Sequence, residues 1–238
     1  MTSKVKAMKS RLLLAGSVLF SAAGLANASG VLLWNEWAYT DNWTPAIAAA
    51  GFSQTTAVDE SDFVAKVGLG GWDAVVMNVG SSSGYASANA AMAAWITGGG
   101  RAIASDWYIF DNTLANAFGA AYTGNTNDPS IPHSGTGIFT GVANNPVMTA
   151  NPGYGIFAMG LSATTGTVVA SFSGGDGAIV QGNGGRTFYN GFLLDACADN
   201  ADYQTIFKNE LLAVVPEPTS MMALSLGAVA LLRRRRKA

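Results

Sequence analysis

The 238-residue sequence holds one cysteine, Cys197, and one histidine, His133. A lone thiol forms no intramolecular disulfide and builds no cysteine-based zinc site, so stability has to come from packing. Cys197 lies in Leu193-Leu194-Asp195-Ala196-Cys197-Ala198, a setting that reads as a small buried residue rather than a reactive thiol. Cations are scarce as well. Lys4, Lys6, Lys9 and Arg11 at the start and Arg233–Lys237 near the end hold nine of the 13 Lys and Arg residues. Residues 29–214 keep only Lys66, Arg101, Arg186 and Lys208 against fourteen acids, a net charge near −10. Nucleic acid and anionic membrane surfaces are bound through clustered cations, so this segment is not built for either. Mutual repulsion keeps it soluble.

The two ends read as addresses rather than as fold. The basic residues Lys4–Arg11 precede an apolar run from Leu12 to Ala26, which closes on Ala26-Asn27-Ala28. A basic region, a short apolar stretch and small residues at the A-x-A spacing make residues 1–28 a secretory signal peptide, removed by signal peptidase. The run is shorter than the roughly 20 residues that cross a bilayer. At the other end, Val215-Pro216-Glu217-Pro218 stops a helix, because each proline removes a donor and fixes φ. Thr219 to Leu232 is almost wholly apolar, and Arg233-Arg234-Arg235-Arg236-Lys237 follows. A core helix would need a polar face, and this one has none. The cations stay on the cytoplasmic side, beside anionic lipid.

Pro-Glu-Pro, an apolar run and an arginine cluster, in that order, make residues 215–238 resemble the PEP-CTERM sorting signal. The resemblance implies processing by an exosortase, a membrane transpeptidase-like enzyme that cleaves near Pro216, Glu217 and Pro218. It also implies a Gram-negative cell that makes exopolysaccharide. The apolar run would anchor the chain transiently in the inner membrane as a transmembrane helix. Delivery to the cell surface or extracellular matrix would follow, with Arg233, Arg234, Arg235 and Arg236 left behind.

Residues 29–214 are enough for one domain with a sizeable core. Gly30–Trp34 and Asp73–Gly80 are continuous apolar runs, the mark of strands buried on both faces. Between them, Thr44-Pro45 reads as a helix start, Thr55–Val58 as a strand and Asp59–Val67 as a helix with acids in its first turn. Ser87 would cap a helix ending at Gly98-Gly99-Gly100, and Arg101–Ser105 is the next strand. This alternation predicts an α/β domain with a mostly parallel sheet flanked by helices. Leu114–Ala121 reads as a helix and Thr123–Ser162 as long loops with room for short strands. Thr167–Phe172 and Ala178–Gln181 form a hairpin about Gly174–Gly177, Arg186–Gly191 is a last strand, and Tyr203–Val214 is a closing amphipathic helix.

Trp72-Asp73-Ala74-Val75-Val76, Ala94–Ile103 and Gly184–Gly191 make this order similar to the class I glutamine amidotransferase-like fold, a flavodoxin-like relative. Enzymes of that superfamily carry a nucleophilic cysteine in the tight turn after the strand matching Arg101–Ser105. Here the turn is Ser105-Asp106-Trp107-Tyr108. They also carry a histidine near the end of the domain, whereas His133 lies in its middle. The resemblance therefore implies the fold without the amidase residues.

Ser105, Asp106 and His133 are the only candidates for a serine-hydrolase group, and no G-x-S-x-G elbow surrounds Ser105. Gly80-Ser81-Ser82-Ser83-Gly84 follows a strand and precedes a helix, the best-placed loop for a ligand, but lacks a phosphate-binding lysine. Asp59–Asp62 and Asn125–Asp128 are oxygen-rich without calcium-loop spacing, and capping and turn roles explain them. No metal or cofactor is expected. The aromatic residues Trp34, Trp37, Tyr39, Trp43, Trp107, Tyr108 and Phe110 cluster after the first and central strands. Trp37, Trp43, Trp107 and Tyr108 define a candidate edge for stacking on sugar rings such as those of exopolysaccharide. The residues favour a non-catalytic surface or matrix protein, with an extracellular hydrolase or carbohydrate-binding module as the alternative. N-terminal sequencing of the exported protein should find it starting near Ser29; a start at Met1 would contradict the signal-peptide reading.

Overall fold

A computed structural model describes residues 30–36, 40–79, 84–106, 112–126, 130–147, 158–192 and 199–215. Trp37, Tyr39, Trp107, Tyr108, Phe110, Cys197, most of the 80–84 loop, the signal peptide and the sorting signal beyond Val215 lie outside them.

Apolar runs pair where the sequence places them. β1 (Val31–Asn35), β2 (Gln54–Thr56), β3 (Ala74–Val79), β4 (Ala102–Asp106) and β9 (Thr187–Asn190) form the parallel half of one sheet. β8 (Gly177–Gly182), β6 (Ala158–Ala163), β5 (Ala120–Thr126) and β7 (Thr167–Ser171) extend it with antiparallel pairings. The order is β2-β1-β3-β4-β9-β8-β6-β5, with β7 beside β8. β5 and β6 correct one expectation, since the helix over Leu114–Ala121 is only α4 (Thr113–Ala117), and they supply short strands over parts of Thr123–Ser162.

Helices cover both faces. α1 (Trp43–Ala49) and α5 (Asn200–Val214) pack on one, where Val31, Leu33, Val76, Ile103 and Phe188 meet Ile47, Phe207 and Leu211. α2 (Glu60–Leu69), α3 (Ala86–Thr97) and α4 pack on the other, against Leu32, Val75, Ala104 and Tyr189. Alternate residues of β1, β3 and β4 thus feed two separate cores, as a strand period of two requires.

The helix starts differ from the sequence reading in where their caps come from. Trp43 N and Thr44 N donate to the Asp41 carboxylate at 3.1 and 3.0 Å, so α1 starts ahead of Thr44-Pro45. Asp59 caps α2 through Asp62 N as its position implies, and the bonded amide lowers the Asp59 pKa. α3 is not capped by Ser87. Glu60, from the first turn of α2, accepts from Ser87 N and Ala88 N, both at 3.1 Å, and holds two helix starts together. Gly100 is required for another reason: a Cβ there would lie 2.3 Å from the Trp95 ring, whose Nε1 donates to Arg101 O.

Aromatic rings lock the helices down. Trp43 lies parallel to Phe207 of α5 with ring centroids 3.8 Å apart. Trp34 stacks on Phe63 and meets Tyr85 edge-on. Trp34 and Trp43 are 1% and 0% exposed, which removes both from the expected sugar-binding edge. The chain turns straight from Asp41 into α1, and that turn carries the Trp43 ring under α5. Trp43→Ala should cost about 3–5 kcal/mol by denaturant unfolding, as large-to-small core changes do; a loss below about 1 kcal/mol would contradict the stack's role.

Candidate functional site at the carboxyl edge

β1, β3, β4 and β9 end side by side, and their last turns of pleat carry polar residues in one register. Asn35 pairs with Asn78, Asn78 with Ser105, and Ser105 with Asn190. In-register partners on parallel neighbours share a face and sit about 4.8 Å apart. The four therefore make a polar row across the sheet, on the face packed by α1 and α5. Below it lie Leu33, Val76, Ile103 and Phe188, two residues earlier in each strand.

The row is nearly dry. Asn78 is 2% exposed, and Ser105, Asn190 and Glu210 of α5 are fully buried. Asn78 Nδ2 donates to Asn35 Oδ1 at 2.6 Å, and Asn35 Nδ2 donates to Asp41 Oδ1 at 3.2 Å. Asn190 Nδ2 donates to Ser105 Oγ and to Glu210 Oε2, both at 3.2 Å. Glu210 reaches the row because helical side chains lean toward the helix N-terminus, which for α5 is the carboxyl edge. Burial pushes its carboxyl up to about 8, from an ordinary 4.5, against the opposing pull of the Asn190 amide. It is therefore a neutral acid at physiological pH.

Parts of the row are left without partners. Asn78 Oδ1, Asn190 Oδ1 and Glu210 Oε1 are buried without a hydrogen-bond partner. Each such orphan costs on the order of 1–3 kcal/mol. Ser105 is bonded to an amide, and no imidazole activates it. His133 accepts from Gly135 N at Nδ1, so its Nε2 carries the proton and donates to Asn144 O at 2.8 Å. Its ring also stacks on Phe139. Both nitrogens are used inside the 130–147 segment, which Asp202 pins to α5 by accepting from Ala143 N and Asn144 N. Ser105 and His133, candidates for a hydrolase group, are not paired. Asp106 ends β4, and Trp107 and Tyr108 lie outside the described residues. Among those residues, no group of three or more His, Cys, Asp or Glu is placed to hold a metal.

The sequence reading singled out Ser105 from this row and missed Asn35, Asn78, Asn190 and Glu210. One signal pointed to them: each strand residue is a polar position in or at the end of an apolar run. Glu210 continues the stripe of Tyr203, Ile206 and Phe207 at helical spacing.

Likeness to known proteins bears on fold and address. One similar solved structure is that of a Thermoplasma acidophilum protein described as a component of GMP synthase. It aligns with a TM-score of 0.54 at 13% identity, over 82% of this chain and 96% of that one. Another is the exo-β-1,4-mannosidase Op5Man5 from Opitutaceae bacterium strain TAV5, with a TM-score of 0.44 at 8% identity, over 79% of this chain and 36% of that one. No curated protein matches the sequence. The domain thus has a glutamine amidotransferase-like fold. Residues 214–237 match the PEP-CTERM protein-sorting motif. The motif implies an exported surface protein processed by an exosortase.

Glu210 makes a pH prediction. Its folded-state pKa of about 8 lies above the ordinary 4.5, so the folded protein holds a proton that the unfolded chain releases above pH 4.5. The stability from this group is complete below pH 4.5 and falls until pH passes 8, by roughly 1.4 kcal/mol per pH unit. Thermal unfolding across this window should show a steeper decline for the native protein than for Glu210→Gln. Parallel declines would contradict a buried neutral acid.

Proposed function

We propose that this chain is a non-catalytic exported protein of a Gram-negative bacterium. Its signal peptide directs export, and its tail anchors it transiently in the inner membrane. Exosortase processing then delivers the domain to the cell surface or its exopolysaccharide matrix. The observation that carries the non-catalytic part is Ser105: fully buried, bonded to Asn190, and beside a neutral carboxylic acid rather than a base. A serine nucleophile needs a base within hydrogen-bond reach to take its proton.

A second reading rests on the aromatic residues of the carboxyl edge, whose ring faces suit stacking on sugars. Trp37, Trp107 and Tyr108 fall in the connections that follow β1 and β4. In this reading the edge binds carbohydrate without transforming it.

Incubation of the purified domain with a fluorophosphonate probe should give no labelling, and Ser105→Ala should change nothing. Labelling of native protein that the substitution abolishes would overturn the non-catalytic proposal. A glycan-binding screen that is flat, and unaltered by Trp107→Ala, would remove the second reading.

A further inference from the structure

The folded domain runs directly into its sorting motif. Val214 and Val215 are 2% and 6% exposed and belong to the same core as Phe207 and Leu211. The motif match begins at residue 214, in the last turn of α5. Only Pro216-Glu217-Pro218 separates Val215 from the apolar run that opens at Thr219. Four Cα steps span at most about 14 Å, even fully extended. An inserted tail therefore holds the end of α5 close to the membrane surface.

That end has a defined place on the domain. α5 begins beside α1 at the carboxyl edge, where Asn42 Nδ2 donates to Asn200 Oδ1. It then runs back along the sheet. Near its finish, Leu212 and Ala213 share a groove of about 610 Å³ with Ile138, Val169, Gln181 and Phe188, toward the amino ends of the parallel strands. No charged side chain lines this groove.

Charge is divided between the two edges in the matching sense. Arg101 and Arg186 precede β4 and β9 at the amino edge, where Asp73 is the single acid among the described residues. Glu36, Asp41, Asp59, Glu60, Asp176 and Asp199 gather at the carboxyl edge, in the strand ends, helix starts and the β7–β8 turn. An anionic surface repels the second group and tolerates the first. The net charge near −10 argues against free binding to such a surface, but a tether removes that choice and leaves only orientation.

Resting on the reading of the tail as a membrane anchor, we propose that before cleavage the amino edge beside the end of α5 lies against the anionic phospholipid surface. The acidic carboxyl edge, with its row of Asn35, Asn78, Ser105 and Asn190, then points away from the bilayer. The domain is presented with its carboxyl edge outward while still attached.

The test uses the full chain, with Cys197→Ser and a single fluorophore on Ala213→Cys or on Asp176→Cys, both exposed positions. Vesicles of phosphatidylethanolamine and phosphatidylglycerol carry a nitroxide-headgroup lipid. Quenching should be several-fold stronger from position 213 than from 176, and a long Gly/Ser insertion after Val215 should abolish the difference while the protein still floats with the vesicles. Equal quenching at both positions, stronger quenching at 176, or a difference that survives the insertion would overturn the proposed orientation. Failure to float at all would overturn the anchor reading itself, and this proposal with it.

Discussion

A carboxyl group without solvent access persists in a fold only if it stays protonated or finds a charge partner. Glu210 takes the first course, and much of the domain is arranged around it. It projects from the core-facing stripe of α5, where an apolar residue would ordinarily stand. Its partner Asn190 ends β9 and also holds Ser105 at the end of β4. One acid on one helix thereby ties α5 to the two strands around which an amidotransferase-like enzyme would assemble its chemistry. Trp43 against Phe207, a few residues earlier on the same helix, fixes α5 sideways against α1. The position of α5 bears on both the polar row, which Glu210 reaches, and the point where the sorting motif leaves the domain.

A related architecture offers the edge, and the residues on the edge determine what it can do. In this chain the edge carries amides and a neutral acid, groups that donate and accept hydrogen bonds but do not generate a nucleophile. The lone histidine is committed to holding its own loop. The last helix of the domain runs without a spacer into the sorting motif.

Much of the architecture was legible in the sequence because its carriers are local. Ala74–Val79 could only be a buried strand, and Gly98-Gly99-Gly100 could only end α3. The tail was legible for the same reason, since its three parts are contiguous. β5 and β6 were not: Ala120–Thr126 has no apolar alternation, and its strand character comes from pairing with residues nearly forty positions away. The polar row was hidden because register between distant strands is absent from a single sequence; Asn35 and Asn190 looked like strand ends, not members of one row. Trp43 was misplaced because its nearness to β1 in sequence suggested the edge, whereas the early start of α1 folds it inward. Glu210 was overlooked as one more acid on an acidic surface, although its helical spacing marked it as buried.

The central claim is that this domain travels to the surface by its tail and arrives without it. Intact-mass spectrometry of protein accessible on living cells tests that claim most directly. The account predicts a C-terminus near Pro216-Glu217-Pro218, with Arg233–Lys237 absent. Surface-exposed protein that retains Arg233–Lys237 would contradict it.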